Sequence, residues 1–146
     1  RMGAFIMDCG GDILWNETTG CRLQADESSD LMSVDAALLD GNRLLYVRIL
    51  KDGVTVSENT FYTRFPKEYE YGCPEISFEV QECTEGLELT VSSDRLARGL
   101  YLFSDNADDF FEDNYMDLLP GFPRKITVRT GSTAEEFKTT LKYQTL

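Results

Sequence analysis

The sequence predicts an all-β protein, an antiparallel β-sandwich built as two small units in tandem, and three observations lead there. Short runs rich in β-branched and aromatic residues recur along the chain, separated by glycine, proline and acidic turn residues. No segment sustains the apolar spacing of a long helix. The 146 residues are 42% hydrophobic, which suffices for packed cores, whereas a (β/α)₈ barrel needs about 250 residues.

Taken in order, Phe5 to Met7, the Gly10-Gly11 pair and Ile13 to Trp15 read as an opening hairpin. A further strand is expected at Cys21 to Gln24, inside the polar stretch from Thr18 to Asp30. Leu31, Val34 and Leu38 fit a helical stripe, but the segment is short and ends at Asp40-Gly41, so a strand or turn is expected there. Arg43 to Leu50, the turn Lys51-Asp52-Gly53 and Val54 to Tyr62 make a second hairpin, which brings the first unit to about five strands where a sandwich usually has seven or more. Between Phe65 and Pro74 two prolines, Gly72 and the loss of alternation mark a domain boundary. Beyond it, Glu75 to Glu82 and Leu87 to Ser92 flank a turn at Glu85-Gly86, with Leu87, Leu89 and Val91 facing one way. Leu100 to Phe103, Lys125 to Arg129 and Glu136 to Tyr143 complete the set, the last on the alternation of Phe137, Thr139, Leu141 and Tyr143.

Charge and composition exclude several functions. The chain carries 26 acidic and 14 basic side chains, a net charge of −12, and no histidine. Such a surface repels phosphate backbones and anionic membranes, so neither nucleic acid nor membrane is an expected partner. Without histidine there is no Ser-His-Asp triad, no Cys-His pair and no histidine-containing zinc site. The apolar runs are strand-length, far below the roughly 20 residues of a transmembrane helix. The chain opens on Arg1 and enters the apolar Ala4-Phe5-Ile6-Met7 at once, which reads as a fragment of something longer.

The four cysteines are Cys9, Cys21, Cys73 and Cys83. A strand between Cys73 and Cys83 would hold their ends roughly 30 Å apart, against about 7 Å for a disulfide. Close C-x₂-C pairs are missing as well. The expectation is free thiols buried as small hydrophobes.

Asp105, Asp108, Asp109, Glu112, Asp113 and Asp117 place six carboxylates within thirteen residues. An EF-hand counted from Asp105 would need glycine where Phe110 stands, so a solvated acidic loop is expected, with irregular calcium coordination as the competing reading and no metal site assigned. A glycosidase would use two carboxylates about 5 to 9 Å apart, but no pair can be picked out of 26 acidic residues. Asn16-Glu17-Thr18 fits the N-glycosylation pattern. Trp15, Tyr62, Tyr69, Tyr71 and Tyr115 could stack on sugar, or fill cores and domain interfaces as aromatics more often do.

Two stretches carry a resemblance. Leu89 to Leu102 (LTVSSDRLARGLYL), continuing through Phe110 to Gly121 (FFEDNYMDLLPG), resembles the C-terminal immunoglobulin-like domain of β-mannosidases of glycoside hydrolase family 2. Ser57 to Tyr62 with Pro66-Lys67-Glu68, and Gly11 to Trp15, look like the preceding sandwich domain of the same enzymes. Glu112 stands where that family usually has serine, Met116 where it has an aromatic, and Phe122 where it has an acid. The resemblance implies that residues 1–70 are a penultimate sandwich domain truncated at its N-terminus. Residues 74–146 are then the C-terminal immunoglobulin-like domain. It further implies a parent that removes terminal β-linked mannose from oligosaccharides by a retaining mechanism, with both catalytic glutamates on a barrel domain. No glutamate here matches a catalytic motif, so no catalytic residue and no cofactor is expected in this chain.

Within the motif, Asp117 precedes the apolar pair Leu118-Leu119, and Pro120-Gly121 is turn chemistry leading into the Lys125 to Arg129 strand. Asp113 and Asn114 can bond their own backbone. The expected functional loop is Ser104 to Tyr115, with Asp113, Asn114 and Tyr115 as the cleft-shaping or interdomain candidates. Expected partners are the barrel and the other domains of the parent chain, and oligosaccharide. The competing functions are a carbohydrate-binding module acting through exposed aromatics and an unrelated adhesin-like sandwich pair.

Overall fold

The computed structural model describes residues 1–22 and 24–146. These divide into two compact units, Arg1–Glu70 and Tyr71–Leu146.

The first unit is one antiparallel sheet in the order β2-β1-β3-β4, formed by β1 (Met2–Asp8), β2 (Ile13–Thr19), β3 (Arg43–Lys51) and β4 (Val54–Tyr62). Its central strand β1 pairs on both sides, Phe5 opposite Asn16 and Tyr46, Ile6 opposite Trp15 and Leu45. That position explains why Ala4 and Ile6 on one face and Met7 on the other are all buried. The β3–β4 loop consists of Asp52 and Gly53, both at positive φ (52° and 84°), the twist-compatible form of a two-residue hairpin. Tyr69 ties the segment after β4 back to the sheet, its hydroxyl donating to the Arg43 carbonyl and accepting from Thr63 N–H, each at 3.2 Å.

Four strands pair here among the described residues, one fewer than the pattern suggests. Cys21, Arg22 and Gln24 join no strand, and Leu23, the middle of the fifth expected strand, lies outside the described residues. Leu31 and Val34 line a cavity of about 280 Å³ over Met2, Ala4, Leu45 and Val47, from a segment with neither helix nor strand. A single 3₁₀ turn, Ala36–Leu39, follows; Asp35 caps it by accepting from Ala37 N–H at 2.9 Å, and Leu39 is buried.

The second unit is a two-sheet sandwich. One sheet runs β5-β6-β10-β8, from β5 (Ile76–Cys83), β6 (Gly86–Ser93), β10 (Arg124–Arg129) and β8 (Phe110–Phe111). The other runs β11-β7-β9, from β7 (Ala97–Ser104), β9 (Met116–Leu118) and β11 (Leu141–Gln144). Leu87, Leu89 and Val91 on β6 and Ile126 and Val128 on β10 pack with Leu100, Leu102 and Leu118 of the second sheet and with Phe137. Each such side chain contributes about 1.5–3 kcal/mol of burial, which makes this shared core the main source of the unit's cohesion.

The expected strand from Glu136 to Tyr143 is corrected. Ala134–Thr140 is a short helix, α1, and only Leu141–Gln144 pairs with β7. A capping box decides it: Thr133 N–H donates to the Glu136 carboxylate at 2.9 Å while Glu136 N–H points back to the Thr133 hydroxyl. The helix brings Phe137 fully into the core.

The cysteines are also corrected. Cys9 is buried as expected, but Cys21 is intermediate and Cys73 and Cys83 are exposed. The residue alternation of β5 places Cys83 at its exposed end, where there is no core to fill.

Candidate functional site

One side chain, Asn114, ties the end of the loop between β7 and β9 back to β7. On β7, Leu100 and Leu102 point into the core, so Tyr101 and Phe103 necessarily point outward. The β7–β9 pairing reaches only from Ala97 opposite Leu118 to Leu100 opposite Met116. Beyond it Leu102 would face that side with unpaired backbone groups, which a folded chain rarely tolerates. Asn114 supplies the missing partner: its Nδ2 donates to the Leu102 carbonyl and its Oδ1 accepts from Leu102 N–H, both at 2.7 Å.

The clamp aims the next residue. Tyr115 N–H donates to the same Asn114 oxygen at 3.1 Å, and Asn114 N–H to Asp113 Oδ1 at 2.9 Å. Tyr115 adopts φ +56°, a left-handed conformation that costs a side-chain-bearing residue about 1–2 kcal/mol. Its ring lies on Tyr101 with centroids 4.7 Å apart and planes 18° apart, and Tyr101 continues to Phe103 at 5.5 Å and 18°. Tyr115 is 72% exposed, so the ladder ends on an aromatic surface open to solvent.

Beside the ladder lies a shallow cavity of about 260 Å³, lined by the aromatic residues Tyr101, Phe103, Phe110 and Phe111 and the polar residues Ser104, Asn106, Asp109 and Asn114. Its polar residues Ser104, Asn106 and Asp109 bond to one another. Ser104 Oγ donates to Asp109 Oδ2 at 2.7 Å and Asn106 Nδ2 to Asp109 Oδ1 at 2.9 Å. At the other end of the loop Gly99 N–H donates to Asp117 Oδ1 at 2.9 Å. Leu118 and Leu119 are buried, and Pro120-Gly121 forms a tight turn in which Phe122 N–H reaches the Leu119 carbonyl at 3.1 Å and Gly121 has φ +77°.

The acidic residues of this region are dispersed among separate partners. Asp105 pairs with Lys142, Glu112 with Arg129, and Asp109, Asp113 and Asp117 with the groups just named. Among the described residues no three carboxylates or thiols gather in a metal-holding arrangement. The carboxyls held below their usual range sit at turns and caps. For Asp40 the Gly41 N–H is the main cause and Arg64 the second, for Asp94 the Glu75 N–H, and for Glu136 the Thr133 N–H. A larger cavity of about 730 Å³ in the first unit is lined by Arg1, Arg48 and Lys51, and among the described residues Asp52 is the only carboxylate of its lining, whereas a glycosidase uses two.

Of the sequence candidates, Asn114 and Tyr115 are thus brought together with β7, and Asp113 shapes their turn. Among the other aromatics, Tyr69 is buried, Tyr62 packs edge-on to it at 5.5 Å, and the Tyr71 hydroxyl accepts from Arg98 at 2.9 Å. Tyr101 and Phe103 were not expected at the site. The Leu-Tyr-Leu-Phe alternation of residues 100–103 carries that signal, because burying both leucines forces both rings outward.

Comparison with known proteins places this geometry. The chain is similar in structure to the crystal structure of the β-D-mannosidase from Dictyoglomus thermophilum, with a TM-score of 0.81 and 20% sequence identity. The similarity covers 99% of this chain and 18% of that enzyme, so the chain spans under a fifth of the length of the protein it resembles. No curated protein matches the sequence. Residues 73–146 match the Ig-fold domain model of mannosidases. That match takes in just over half of the sequence and the whole β7–β9 loop with its ladder, and by it the chain belongs to the mannosidase Ig-fold domain family.

Proposed function

We propose that the chain is a non-catalytic accessory region of a β-mannosidase-like glycoside hydrolase. In this reading residues 1–70 are a penultimate sandwich domain lacking its first strands, and residues 74–146 are the C-terminal domain. The parent removes terminal β-D-mannose from oligosaccharides with retention, on a barrel outside this sequence. The loop from Ser104 to Tyr115, with Asp113, Asn114 and Tyr115, packs toward that barrel and shapes its cleft. The observation that carries the proposal is the structural similarity over 99% of the chain to one stretch of a β-mannosidase. The first unit supports it too, since both edge strands of its sheet carry exposed apolar residues, Ile13 and Leu14 on β2 and Val54, Val56 and Phe61 on β4, where further strands of a parent could add.

The test is to assay the full product of the parent gene, and the 146-residue chain alone, on p-nitrophenyl β-D-mannopyranoside. The parent is expected to hydrolyse it and release β-mannose first, and deletion of the region is expected to lower its activity and melting temperature. Hydrolysis by the isolated chain, a parent inactive on β-mannosides, or a deletion without effect would overturn the reading.

A further inference from the structure

We propose that the Tyr115–Tyr101–Phe103 ladder and the cavity beside it form a binding subsite for a neutral hexose oligosaccharide. A pyranose has an apolar C–H face and a rim of hydroxyls, and the site offers a partner for each. The Tyr115 ring, 72% exposed and already backed by Tyr101 at 4.7 Å, gives a flat, pre-formed face. Because Asn114 is fixed to Leu102 at both polar atoms, that face is in place before a ligand arrives, which lowers the entropic cost of binding.

The cavity contributes the polar half. Four aromatic side chains, Tyr101, Phe103, Phe110 and Phe111, line it beside a few polar groups, the kind of mixture that small-ligand sites use. Asp109 is the only carboxylate in that lining. Each of its oxygens receives one hydrogen bond, from Ser104 or Asn106, and keeps a lone pair that can accept a sugar hydroxyl. The remaining polar side chains of the lining, the Ser104 hydroxyl and the Asn106 and Asn114 amides, are neutral. Neutral groups match hydroxyls better than they match a full positive charge, which favours a sugar over an arginine-bearing peptide. The net charge of −12 disfavours anionic ligands. The inference uses the mannosidase-like reading only to choose which hexose to try first.

The experiment is a titration of the ¹⁵N-labelled chain with β-1,4-mannohexaose, and separately with cellohexaose, followed by amide chemical shifts. Saturable shifts clustered in residues 101–115 with at least one sugar are expected. Tyr115→Ala should weaken binding about tenfold, whereas Phe65→Ala, a change at an exposed ring of the first unit, should leave it unaltered. If Tyr115→Ala does not fold, Tyr115→Asn removes the ring while tolerating the left-handed backbone. No saturable shift, shifts mapping elsewhere, binding insensitive to the loss of Tyr115, or a response to an arginine-containing peptide in place of sugar would each overturn the proposal. A parent that hydrolyses β-mannosides while this chain ignores both oligosaccharides would overturn the subsite and leave the accessory-region reading standing.

Discussion

Asn114 takes the place of a β-strand beside Leu102, meeting its N–H and its carbonyl at 2.7 Å each, just where the β7–β9 ladder has run out. A side-chain amide has the donor and the acceptor of a peptide group on two separate atoms of one plane, and glutamine is the only other residue type that carries an amide.

Asn114→Ala is therefore expected to leave two backbone groups of Leu102 without partners and to cost about 2–4 kcal/mol. Asn114→Asp keeps the acceptor but turns a carboxylate toward the Leu102 carbonyl, so it should be as damaging at neutral pH and recover in acid, where the carboxyl regains a donor proton. Urea unfolding at both pH values checks this; an alanine variant within about 0.5 kcal/mol of the parent, the range of ordinary surface changes, would refute it.

At position 115 the usual order of alanine and glycine should invert. Both substitutions remove the ring stack, but only alanine retains the strain of φ +56°. Tyr115→Gly is expected to be more stable than Tyr115→Ala by about 1 kcal/mol, whereas glycine loses to alanine at ordinary positions. Paired denaturation curves give the difference directly.

Gly86 opens β6 where β10 passes closest. A Cβ built there would stand 2.3 Å from the Val128 carbonyl oxygen and 3.2 Å from Arg129 Cα, both backbone atoms, and Gly86 has φ +132°. Gly86→Ala should cost about 3 kcal/mol or more, beyond ordinary overpacking, because β10 must move to make room. Thermal melts and the dispersion of amide resonances in residues 71–146 report it.

Stability should also depend on pH through the α1 cap. The Thr133 N–H, and after it the Thr133 hydroxyl, hold the Glu136 carboxyl below its ordinary value of 4.5. A depressed native value stabilises the fold above the unfolded value and loses that contribution as pH falls through the native one. Glu136→Gln, which keeps a neutral acceptor, should be less stable than the parent at neutral pH and equal to it in strong acid. A gap that persists in acid would mean that the carboxylate's charge is not what the cap uses.

Much of the fold was legible because it rests on local chemistry. The Gly10-Gly11 and Asp52-Gly53 turns, the β6 triplet Leu87, Leu89 and Val91, and the Pro120-Gly121 turn all write their geometry into adjacent residues. Phe137 was misplaced because Phe137, Thr139, Leu141 and Tyr143 alternate like a strand, while the decisive signal, Thr133 with Glu136, lies at the edge of that window. The site was half legible for a related reason. Asn114 and Tyr115 stand in a turn-rich run that attracts notice, but the bond from Asn114 to Leu102 spans twelve residues and depends on where β9 stops. Sequence spacing holds no record of that distance.

β1 lies inside its sheet although it precedes β2, β3 and β4 in the chain. Its inner neighbour is β3, and the backbone bonds between Arg1 and Leu50 join residues 49 positions apart. A ribosome would release β1 and its β2 hairpin well before β3 exists, leaving the most apolar strand of the unit half-paired in the meantime. Such long-range closure slows folding, so this half of the chain should reach its native sheet later than the hairpins it contains, with timing set by synthesis past residue 51.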